Sequence, residues 1–443
     1  MSPLIIGILM FVALIVFLFM GHPLAFVLAG IGTVFGFFFW GPSVFPMFIN
    51  RIYGTMNNFT LVAITLFVFM GNLLSMSGIA DGLFMALQQI IGRVKGGLGL
   101  AVIAVCIVFA ACTGIIGASV VTMALLAAPV LLKRGYDKQL TMGMIAAGGS
   151  LGILIPPSIM LVIMGDQAQL SVGKLFMSAI IPGIALGIIY MIYIGVRCGL
   201  NPKLGPPMPK EEFYAIPMTK RLRDLVIYAV PPIILILAVL GSIFTGVATP
   251  TEASGVGAFV TFLMILGYRK FTWKGTRDTI YQSAKTTTMV IIILVGASCF
   301  TGVFLGLGCG QAMVAALMGA GLSKWVLYAI MMLILMVLGM FIDWIGIVMI
   351  TFPLFLPIAQ TLGFDTLWFV TMMAVNLQMS FLTPPFGYAL FYLNGLKLPG
   401  ITLGDIYRGI VPFVFMQLIG LAVCTIFPQS ALWLPSLMIT TGG

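Results

Sequence analysis

Two pairs of adjacent prolines interrupt apolar segments of this chain and could hold polar groups at membrane depth. One pair, Pro156 and Pro157, lies in GGSLGILIPPSIMLVIMG, and the other, Pro384 and Pro385, lies in NLQMSFLTPPFGYALF. Proline lacks an N–H and disfavours helix in the residue before it, so each pair should unwind its helix and free backbone carbonyls that can coordinate a cation. The helix that resumes near Ser158 would present its N-terminal N–H groups to an anion.

Polar side chains near these breaks are the other candidates for binding. Asp343, in GMFIDWIG, stands out because an acidic side chain at membrane depth is costly and usually functional. The hydroxyl-bearing candidates are Ser119, Thr122, Ser150, Thr351, Ser380 and Thr383. These hydroxyls could bind an ion or simply cap carbonyls of their own helices. Asp137 and Asp365 each follow a glycine closely and precede a predicted helix, which is typical of N-caps.

The composition predicts that these apolar segments lie in a lipid bilayer. Of the 443 residues, 61% are hydrophobic and 7% are charged, and the mean hydropathy is +1.20. The six cysteines have neither metal-ligand nor disulfide-framework spacing, so they are interpreted as packing residues. The sequence contains no HExxH, CxxC or Walker motif. We therefore predict an all-α polytopic membrane protein that is not an enzyme and hydrolyses no ATP.

The distribution of charge predicts the orientation of the chain. The net charge of +10 comes from basic residues in short gaps between apolar segments. If those gaps are cytoplasmic, all but three of the 21 basic residues are inside, and only Arg51, Lys174 and Lys324 are outside. This is the positive-inside pattern, which argues against a nucleic-acid partner. It predicts a multi-pass protein of the bacterial inner membrane with periplasmic N- and C-termini, whose first apolar stretch is a span and not a removed signal.

One apolar segment is too short to cross the membrane twice. The segment 97–132 lies between Lys95 and Lys133, which are both predicted to be inside. Two spans would need about 40 residues and a polar turn. The midpoint is instead the small, uncharged CTGIIGAS. A re-entrant hairpin is expected here, with a tip buried in protein or lining a wet cavity.

The second half of the sequence repeats features of the first half at a nearly constant interval. The segment 117–137 aligns with 346–365, the Pro-Pro pair at 156 aligns with that at 384, and Pro23 aligns with Pro250. Each half then has five crossing elements and one hairpin, so the halves must be inverted relative to each other, as in secondary transporters. The predicted first repeat, 1–198, has spans 3–20, 23–40 and 60–78, a hairpin 97–132, a broken helix 141–164 and a span 175–197. After a cytoplasmic linker, 199–222, the second repeat, 223–443, has spans 223–245, 251–267 and 286–308, a hairpin 326–361, a broken helix 366–393 and a span 407–428.

Several of these segments together resemble a known transporter family. FAACTGIIGASVVTMALLAAPVLLKRGYDKQLTMGMIAAGGSLGILIPPSIMLVIMG, ATPTEASGVGA, LGMFIDWIGIVMITFPLFLPIAQTLGFD and NLQMSFLTPPFGYALF are similar to the large membrane subunit of tripartite ATP-independent periplasmic (TRAP) transporters. The resemblance covers essentially the whole chain. It implies a sodium-coupled elevator importer of organic acids, with a separate small membrane subunit and a periplasmic substrate-binding protein as partners.

The resemblance also implies where ligands bind. Sodium ions are expected between the hairpin tips and the unwound helices. The implied sodium-binding residues are Gly114, Ser119, Ser150, Gly152 and Pro156 in the first half and Asp343, Gly346, Thr351, Asn376 and Thr383 in the second. The substrate-binding positions are expected at Ser119, Pro156, Pro157, Ser158, Thr383, Pro384 and Pro385.

Two other function classes remain. An intramembrane protease would need a zinc motif, a Ser/His pair or two intramembrane aspartates, and Asp343 alone does not meet that requirement. A single-component sodium/carboxylate symporter would share the inverted repeat and the hairpins. For the substrate, no arginine is clearly at membrane depth to bind a second carboxylate. Because NLQMSFLTPPFGYALF looks closer to carriers of oxo acids and amino acids than to the C4-dicarboxylate branch, a monocarboxylate, oxo acid or amino acid is favoured.

Overall fold

The computed structural model describes residues 1–114, 116–319, 321–384 and 387–438, and every regular element in these ranges is a helix. The elements before the linker are α1 (Pro3–Phe19), α2 (Leu24–Trp40), α3 (Val44–Met56), α4 (Thr60–Ser77), α5 (Ile79–Ile91), α6 (Gly97–Thr113), α7 (Ile116–Lys133), α8 (Lys138–Ser150), a 3-10 turn (Leu151–Ile153), α9 (Ile159–Gln167) and α10 (Val172–Leu200). The later elements are α11 (Lys210–Tyr214), α12 (Met218–Phe244), α13 (Pro250–Gly267), α14 (Trp273–Gly306), α15 (Cys309–Gly319), α16 (Lys324–Gly339), α17 (Trp344–Thr361), α18 (Thr366–Ser380), α19 (Tyr388–Gly395), α20 (Leu403–Ile426) and α21 (Gln429–Ser436).

Many of these helices are suited to a bilayer. Eight helices in the described ranges are long and apolar enough to cross a membrane, namely α4, α7, α10, α12, α13, α14, α17 and α20. Helices α1 and α2 are equally apolar but have 17 residues each, at the short end of what can span the hydrocarbon core. Because a helix satisfies its own backbone hydrogen bonds, this composition favours helix throughout the membrane region.

Helix boundaries recur along the chain. Helices α7 and α8 begin at 116 and 138, and α17 and α18 begin at 344 and 366, so both pairs of starts are separated by the same interval. One element departs from this pattern, because the single helix α14 (273–306) corresponds to two helices, α3 and α4 (44–77). The break between them lies at Asn57 and Asn58, and the side chain of Asn58 accepts the N–H of Thr60 at 3.0 Å. Such a local side-chain bond competes with helical hydrogen bonding.

Helices of the two halves pack against each other reciprocally. Helix α8 packs on α20 and α10 packs on α18, while α7 contacts α19 and α9 contacts α17. A second group is also reciprocal, with α2 on α14, α4 on α13, α1 on α15 and α5 on α12. At one crossing, a Cβ on Gly143 would lie 2.1 Å from the Gly409 carbonyl oxygen, and at the corresponding crossing the hydroxyls of Ser178 and Thr371 are 2.7 Å apart. From these reciprocal contacts we define an inner body, α6–α10 and α16–α20, and an outer body, α1–α5 and α12–α15. The two bodies also contact each other, for example through α5 with α6 and α14 with α17.

Several helices extend beyond the segments that hydropathy marks. Helix α14 begins at Trp273, well before the predicted span at 286, because its polar first turns continue the helix outside the apolar part. Its start is capped by Thr272, whose hydroxyl accepts the N–H of Gly275 at 3.2 Å. In the same way α12 begins at Met218, and the predicted linker contains the short helix α11. Hydropathy locates the apolar part of a helix, whereas a cap fixes its start.

Candidate functional site

Gly114, directly after α6, is buried and lies close to the first Pro-Pro pair. Gly114 has φ +62°, a left-handed conformation that favours glycine, and a Cβ at this position would lie 3.0 Å from the Pro157 carbonyl oxygen. Next to it, the buried hydroxyls of Thr113 and Ser119 are 2.8 Å apart. A residue with a side chain at 114 would push this tip away from the helix break between α8 and α9.

The first Pro-Pro pair lies in the interruption between α8 and α9. Pro156 and Pro157 are buried and are joined by a cis peptide bond. After them, the side chain of Ser158 caps α9 by accepting the N–H of Leu161 at 3.5 Å, and it donates to the carbonyl of Ile153. Before them, Gly152 lies buried in the 3-10 turn. Ser158 therefore satisfies one of the carbonyls that the break frees.

In the second half, the corresponding tip is capped by an acidic residue. Asp343 begins α17 as its N-cap, and its carboxylate accepts the N–H of Ile345 at 3.3 Å. In the interruption after α18, Thr383 donates to the Met379 carbonyl at 2.9 Å and Pro384 is partly buried. Pro385, predicted to contact substrate, lies outside the described residues.

Both tips and both half-helices line one small central cavity. The cavity has a volume of about 100 Å³. Gly114 and Gly117 contribute from the first tip, and Asp343 contributes from the second. Ile153 and Ile159 line it on either side of the first break, while α19 and α14 complete the wall with Tyr388, Tyr392, Thr286, Met289 and Val290. The cavity therefore joins elements that are far apart in sequence.

Not every predicted residue faces this cavity. Thr351 is buried and donates to the Ile347 carbonyl of its own helix at 2.7 Å, and it lines an apolar cavity between α1, α16 and α17. Gly346 lies against Leu24, since a Cβ there would be 2.5 Å from that side chain. The sodium-binding roles of these two residues stay predictions.

Two buried amides of α18 have oxygens with no partner among the described residues. These are Oδ1 of Asn376 and Oε1 of Gln378. The Asn376 amide nitrogen donates to the Met332 carbonyl at 2.6 Å, and the Gln378 amide nitrogen donates to the Ser150 hydroxyl at 3.4 Å. Positions 150 and 378 are separated by the same interval at which the helices recur. Ser150 itself donates to the Ala147 carbonyl at 2.8 Å.

These atoms suit a hard cation. Carboxylate, amide and hydroxyl oxygens are the ligands that such ions prefer, and an unpaired buried amide oxygen gains most from a positive ion. The described residues contain no group of three or more His, Cys, Asp or Glu side chains that could hold a metal ion. A transition-metal centre is thus not favoured in this part of the chain. Asp343 lines the central cavity, whereas Asn376 and Gln378 are not among its lining residues.

Sequence reasoning missed several of these residues. Tyr388 and Tyr392 stand about one helical turn apart on α19, which places them on one face, and the ring of Tyr392 lies 2.9 Å from where a Cβ on Gly117 would be. Gln378 is a polar residue inside an apolar helix, and such a position in the sequence indicates a candidate binding residue. Thr286 directly follows Lys285 at the start of the predicted span 286–308, a position that indicates the end of a span and not a cavity.

Other predicted roles are directly visible. Asp137 and Asp365 are N-caps, since each carboxylate accepts a backbone N–H at 2.8 Å, from Leu140 and Trp368 respectively. Glu252 forms a capping box with Thr249. All six cysteines are buried and free, as expected for packing residues. These assignments leave Asp343 as the acidic N-cap that faces a cavity lined by both halves.

The fold defines a multi-pass, all-helical membrane protein in which both halves line one small cavity, with Asp343 in an otherwise largely apolar lining. Its backbone resembles the crystal structure of the YdaH transporter of Alcanivorax borkumensis, with a TM-score of 0.64 and 14% identity over 92% of this chain and 98% of that one. At this identity the likeness concerns the fold alone.

Sequence comparison is more specific. Residues 11–430 match the tripartite ATP-independent periplasmic transporter, DctM component. The chain is 31% identical to the C4-dicarboxylate TRAP transporter large permease protein DctM of Pseudomonas aeruginosa, over 87% of this chain and 88% of that protein. It is 28% identical to the sialic acid TRAP transporter large permease protein SiaM of Vibrio cholerae, over 96% of this chain and 97% of that protein. The chain therefore belongs to the TRAP transporter family as a large membrane subunit, and it is a multi-pass inner-membrane protein. The predicted family is confirmed, and its relatives are permeases.

Proposed function

We propose that this chain imports a small organic acid together with sodium ions, by an elevator movement. The observation that carries the proposal is the central cavity, which is lined by two helix-connecting tips and by both sides of a helix break. Such interruptions supply carbonyls for a cation and helix N-termini for an anion at the same depth. No nucleotide motif is present in the sequence to supply another source of energy.

The proposed architecture is an inverted repeat with two re-entrant hairpins, α6–α7 and α16–α17. It is supported by the recurrence of helix boundaries and by the reciprocal packing of the two halves. The basic residues on both sides of the first hairpin, Lys95 and Lys133, favour a hairpin that returns to its starting side. We propose that the inner body, which holds both tips and both breaks, moves against the outer body.

The cation would be held by oxygens of the tips and of the interrupted helices. Asp343 is the strongest candidate because it combines a carboxylate with a position in the cavity. Asn376 and Gln378 supply the buried amide oxygens described above. Gly114, Ser119, Ser150, Gly152, Pro156, Gly346, Thr351 and Thr383 complete the proposed set.

The substrate is proposed to be a small organic anion beside these ions. The half-helix α9, capped by Ser158, directs its N-terminus towards the break, and Tyr388 and Tyr392 offer ring and hydroxyl contacts. The relatives above carry the names of C4-dicarboxylate and sialic acid transporters. We retain a monocarboxylate, oxo acid or amino acid as the favoured class. Titration calorimetry of the cognate binding protein with a panel of organic acids would decide among these classes.

The proposed partners are a small membrane subunit and a periplasmic binding protein, and both termini are proposed to be periplasmic. The test is uptake by proteoliposomes that contain this chain and its small partner. An inward sodium gradient should drive uptake of substrate delivered by the binding protein, and ATP should not. Uptake that persists without sodium but requires a proton gradient would contradict sodium coupling. Equal rates with and without the binding protein would favour the single-component symporter.

A further inference from the structure

A second polar cavity lies between α3, the end of α9 and the later part of α14. We call it the outer pocket. It has a volume of about 660 Å³, and its polar lining comes mainly from Asn50, Arg51, Asn58, Gln167, Gln169 and Ser298. Thr55 and Thr301 also line it. Because amides and hydroxyls dominate this lining, the pocket is suited to a hydrophilic ligand.

Among the described residues, Arg51 is the only charged side chain that lines this pocket. It forms no ion pair with any other part of the chain that the structure describes. Its guanidinium lies beside α14, since a Cβ on Gly302 would be 3.4 Å from the Arg51 Nε. An arginine without a carboxylate partner, in a cavity lined by amides and hydroxyls, offers paired N–H donors to a carboxylate ligand.

Asp166, next to the pocket-lining Gln167, forms no ion pair with Arg51. Asp166 lies at the pocket edge, where its two carboxylate oxygens accept amide N–H groups of Asn58 at 2.7 Å and of Gln167 at 3.0 Å. Its backbone carbonyl accepts the amide of Gln169 at 2.8 Å. Asp166 thus orders three amide side chains of the lining, and the guanidinium stays available to a ligand.

Two helices connect the outer pocket to the central cavity over the same distance. On α14, Val290 lines the central cavity and Ser298 lines the outer pocket. On α9, Ile159 lines the central cavity and Gln167 lines the outer pocket. On each helix the two lining residues are eight positions apart. Eight residues of α-helix span about 12 Å along the helix axis. The outer pocket therefore lies one short step along the helix axes from the proposed transport site.

The pocket also forms where the two halves differ. Arg51, Asn50 and Thr55 belong to α3, which exists as a separate helix because the chain breaks before α4. The corresponding segment of the second half runs unbroken through α14. Arg51 is also one of the three basic residues assigned to the outer side by the charge distribution. The pocket is therefore built on the face from which an imported acid arrives.

We propose that the outer pocket is a second binding site for an organic acid, in which Arg51 pairs with the carboxylate before the acid reaches the central cavity. The identity of the ligand as an organic acid rests on the proposed function. The surrounding amides and hydroxyls would bind the remaining polar groups of the acid. Because Arg51 binds the carboxylate in the outer pocket, its replacement weakens binding of the acid there and leaves the central cavity unaltered.

The test uses binding instead of uptake, so its result is independent of sodium coupling. Ser298→Cys in the full, purified chain gives a thiol in the pocket, and the parent chain, whose cysteines are all buried, gives the background. An anionic methanethiosulfonate should label this thiol several-fold faster than a cationic one. Sodium pyruvate, malate or glutamate should slow labelling relative to sodium chloride at equal ionic strength. Thr55→Cys serves as a second reporter if the first variant is poorly folded.

The control variants separate Arg51 from general surface charge. Arg51→Gln should abolish both the preference for the anionic reagent and the protection by carboxylates. Lys174→Gln removes another outer positive charge away from the pocket and should leave both unchanged. Labelling that ignores reagent charge, or carboxylate protection that survives Arg51→Gln, would overturn the proposal. Failure of sodium-driven uptake by the unaltered chain would instead contradict the proposed function and leave the labelling result standing.

Discussion

Asp343 and Asp365 are both helix N-caps, but they lie in different surroundings. Each caps a helix by accepting a backbone N–H, from Ile345 and from Trp368. Asp365 is exposed, whereas Asp343 is partly buried and lines the central cavity. A carboxylate in that position costs desolvation energy unless a cation or hydrogen bonds compensate for it. The comparison separates a role in capping from a role in ion binding.

Replacing Asp343 by asparagine should therefore weaken sodium binding and preserve the fold. Asparagine is as good an N-cap as aspartate, so thermal stability should change little. Removing the carboxylate should raise the half-saturating sodium concentration for uptake at least about tenfold, or about 1.4 kcal/mol. The matched control, Asp365→Asn, should leave sodium dependence unchanged. If both variants keep the parent sodium dependence, Asp343 acts only as a cap.

At the scale of elements, the first tip and the first break depend on one close contact. Gly114 combines a left-handed φ with a Cβ position 3.0 Å from the Pro157 carbonyl oxygen. Gly308 has a similar φ of +71°, but a Cβ there would meet nothing within 4 Å. The two glycines therefore distinguish backbone strain from loss of packing between tip and break.

Alanine at both positions should show this difference. Gly308→Ala should cost about 1 kcal/mol of stability through strain alone. Gly114→Ala should cost about 1 to 3 kcal/mol more, because the tip must shift from the break, and it should also impair uptake. Denaturation of the purified variants and uptake at equal protein amounts provide the measurements. Equal losses of stability in both variants would show that the close approach of Gly114 to Pro157 does not contribute to stability.

The segment between α10 and α12 is held to α7 and α12 by charged residues. Arg134, after α7, forms an ion pair with Glu212 of α11. Arg221 of α12 donates to the carbonyls of Phe213 and Ile216. The hydrogen bond from Arg134 lowers the pKa of Glu212 below its ordinary value of 4.5. These contacts connect the end of α7, through α11, to the start of α12.

The lowered pKa predicts a pH-dependent contribution to stability. A carboxylate with a depressed pKa stabilises the folded state above pH 4.5 and loses that effect as the pH falls through its folded-state pKa. Since Glu212 is half exposed, the effect should be at most about 1 kcal/mol. The difference in thermal stability between the parent and Glu212→Gln should be present at neutral pH and diminish as the pH falls below 4.5. In a background that lacks the ion pair, Arg134→Gln, the further change Glu212→Gln should make no such pH-dependent difference.

The parts of this site that could be predicted from sequence have a local physical cause. Proline chemistry places the first break between α8 and α9, and a preceding glycine turn marks Asp365 as a cap. The direction in which a side chain points depends on packing between distant helices, so sequence could not exclude Thr351 from the cavity. The sequence around Tyr388 and Tyr392 does not indicate that they line a cavity, because Gly117, against which Tyr392 lies, belongs to the other half of the chain. The bond between Ser150 and Gln378 required knowing how the halves meet.

At the scale of the whole molecule, the inner and outer bodies touch along a surface that the proposed elevator movement would rearrange. One polar contact crosses it beside the outer pocket, where the amide of Asn58, before α4, donates to Asp166 of α9 at 2.7 Å. Another polar contact, between Asn72 and Ser283 at 2.9 Å, lies wholly within the outer body. An elevator movement changes the first distance and leaves the second unchanged.

Bridging each pair should therefore have opposite consequences for transport. With Asn58→Cys and Asp166→Cys together, a Hg²⁺ bridge between the thiols should stop uptake, and excess thiol should restore it. The same bridge in Asn72→Cys with Ser283→Cys should leave uptake nearly unchanged, because both residues move together. Single-cysteine variants and the parent chain, whose six cysteines are buried, measure the effect of mercury alone. Undiminished uptake in the fully bridged 58–166 variant would mean that α9 does not move relative to the start of α4, and the division into a fixed and a moving body would be wrong.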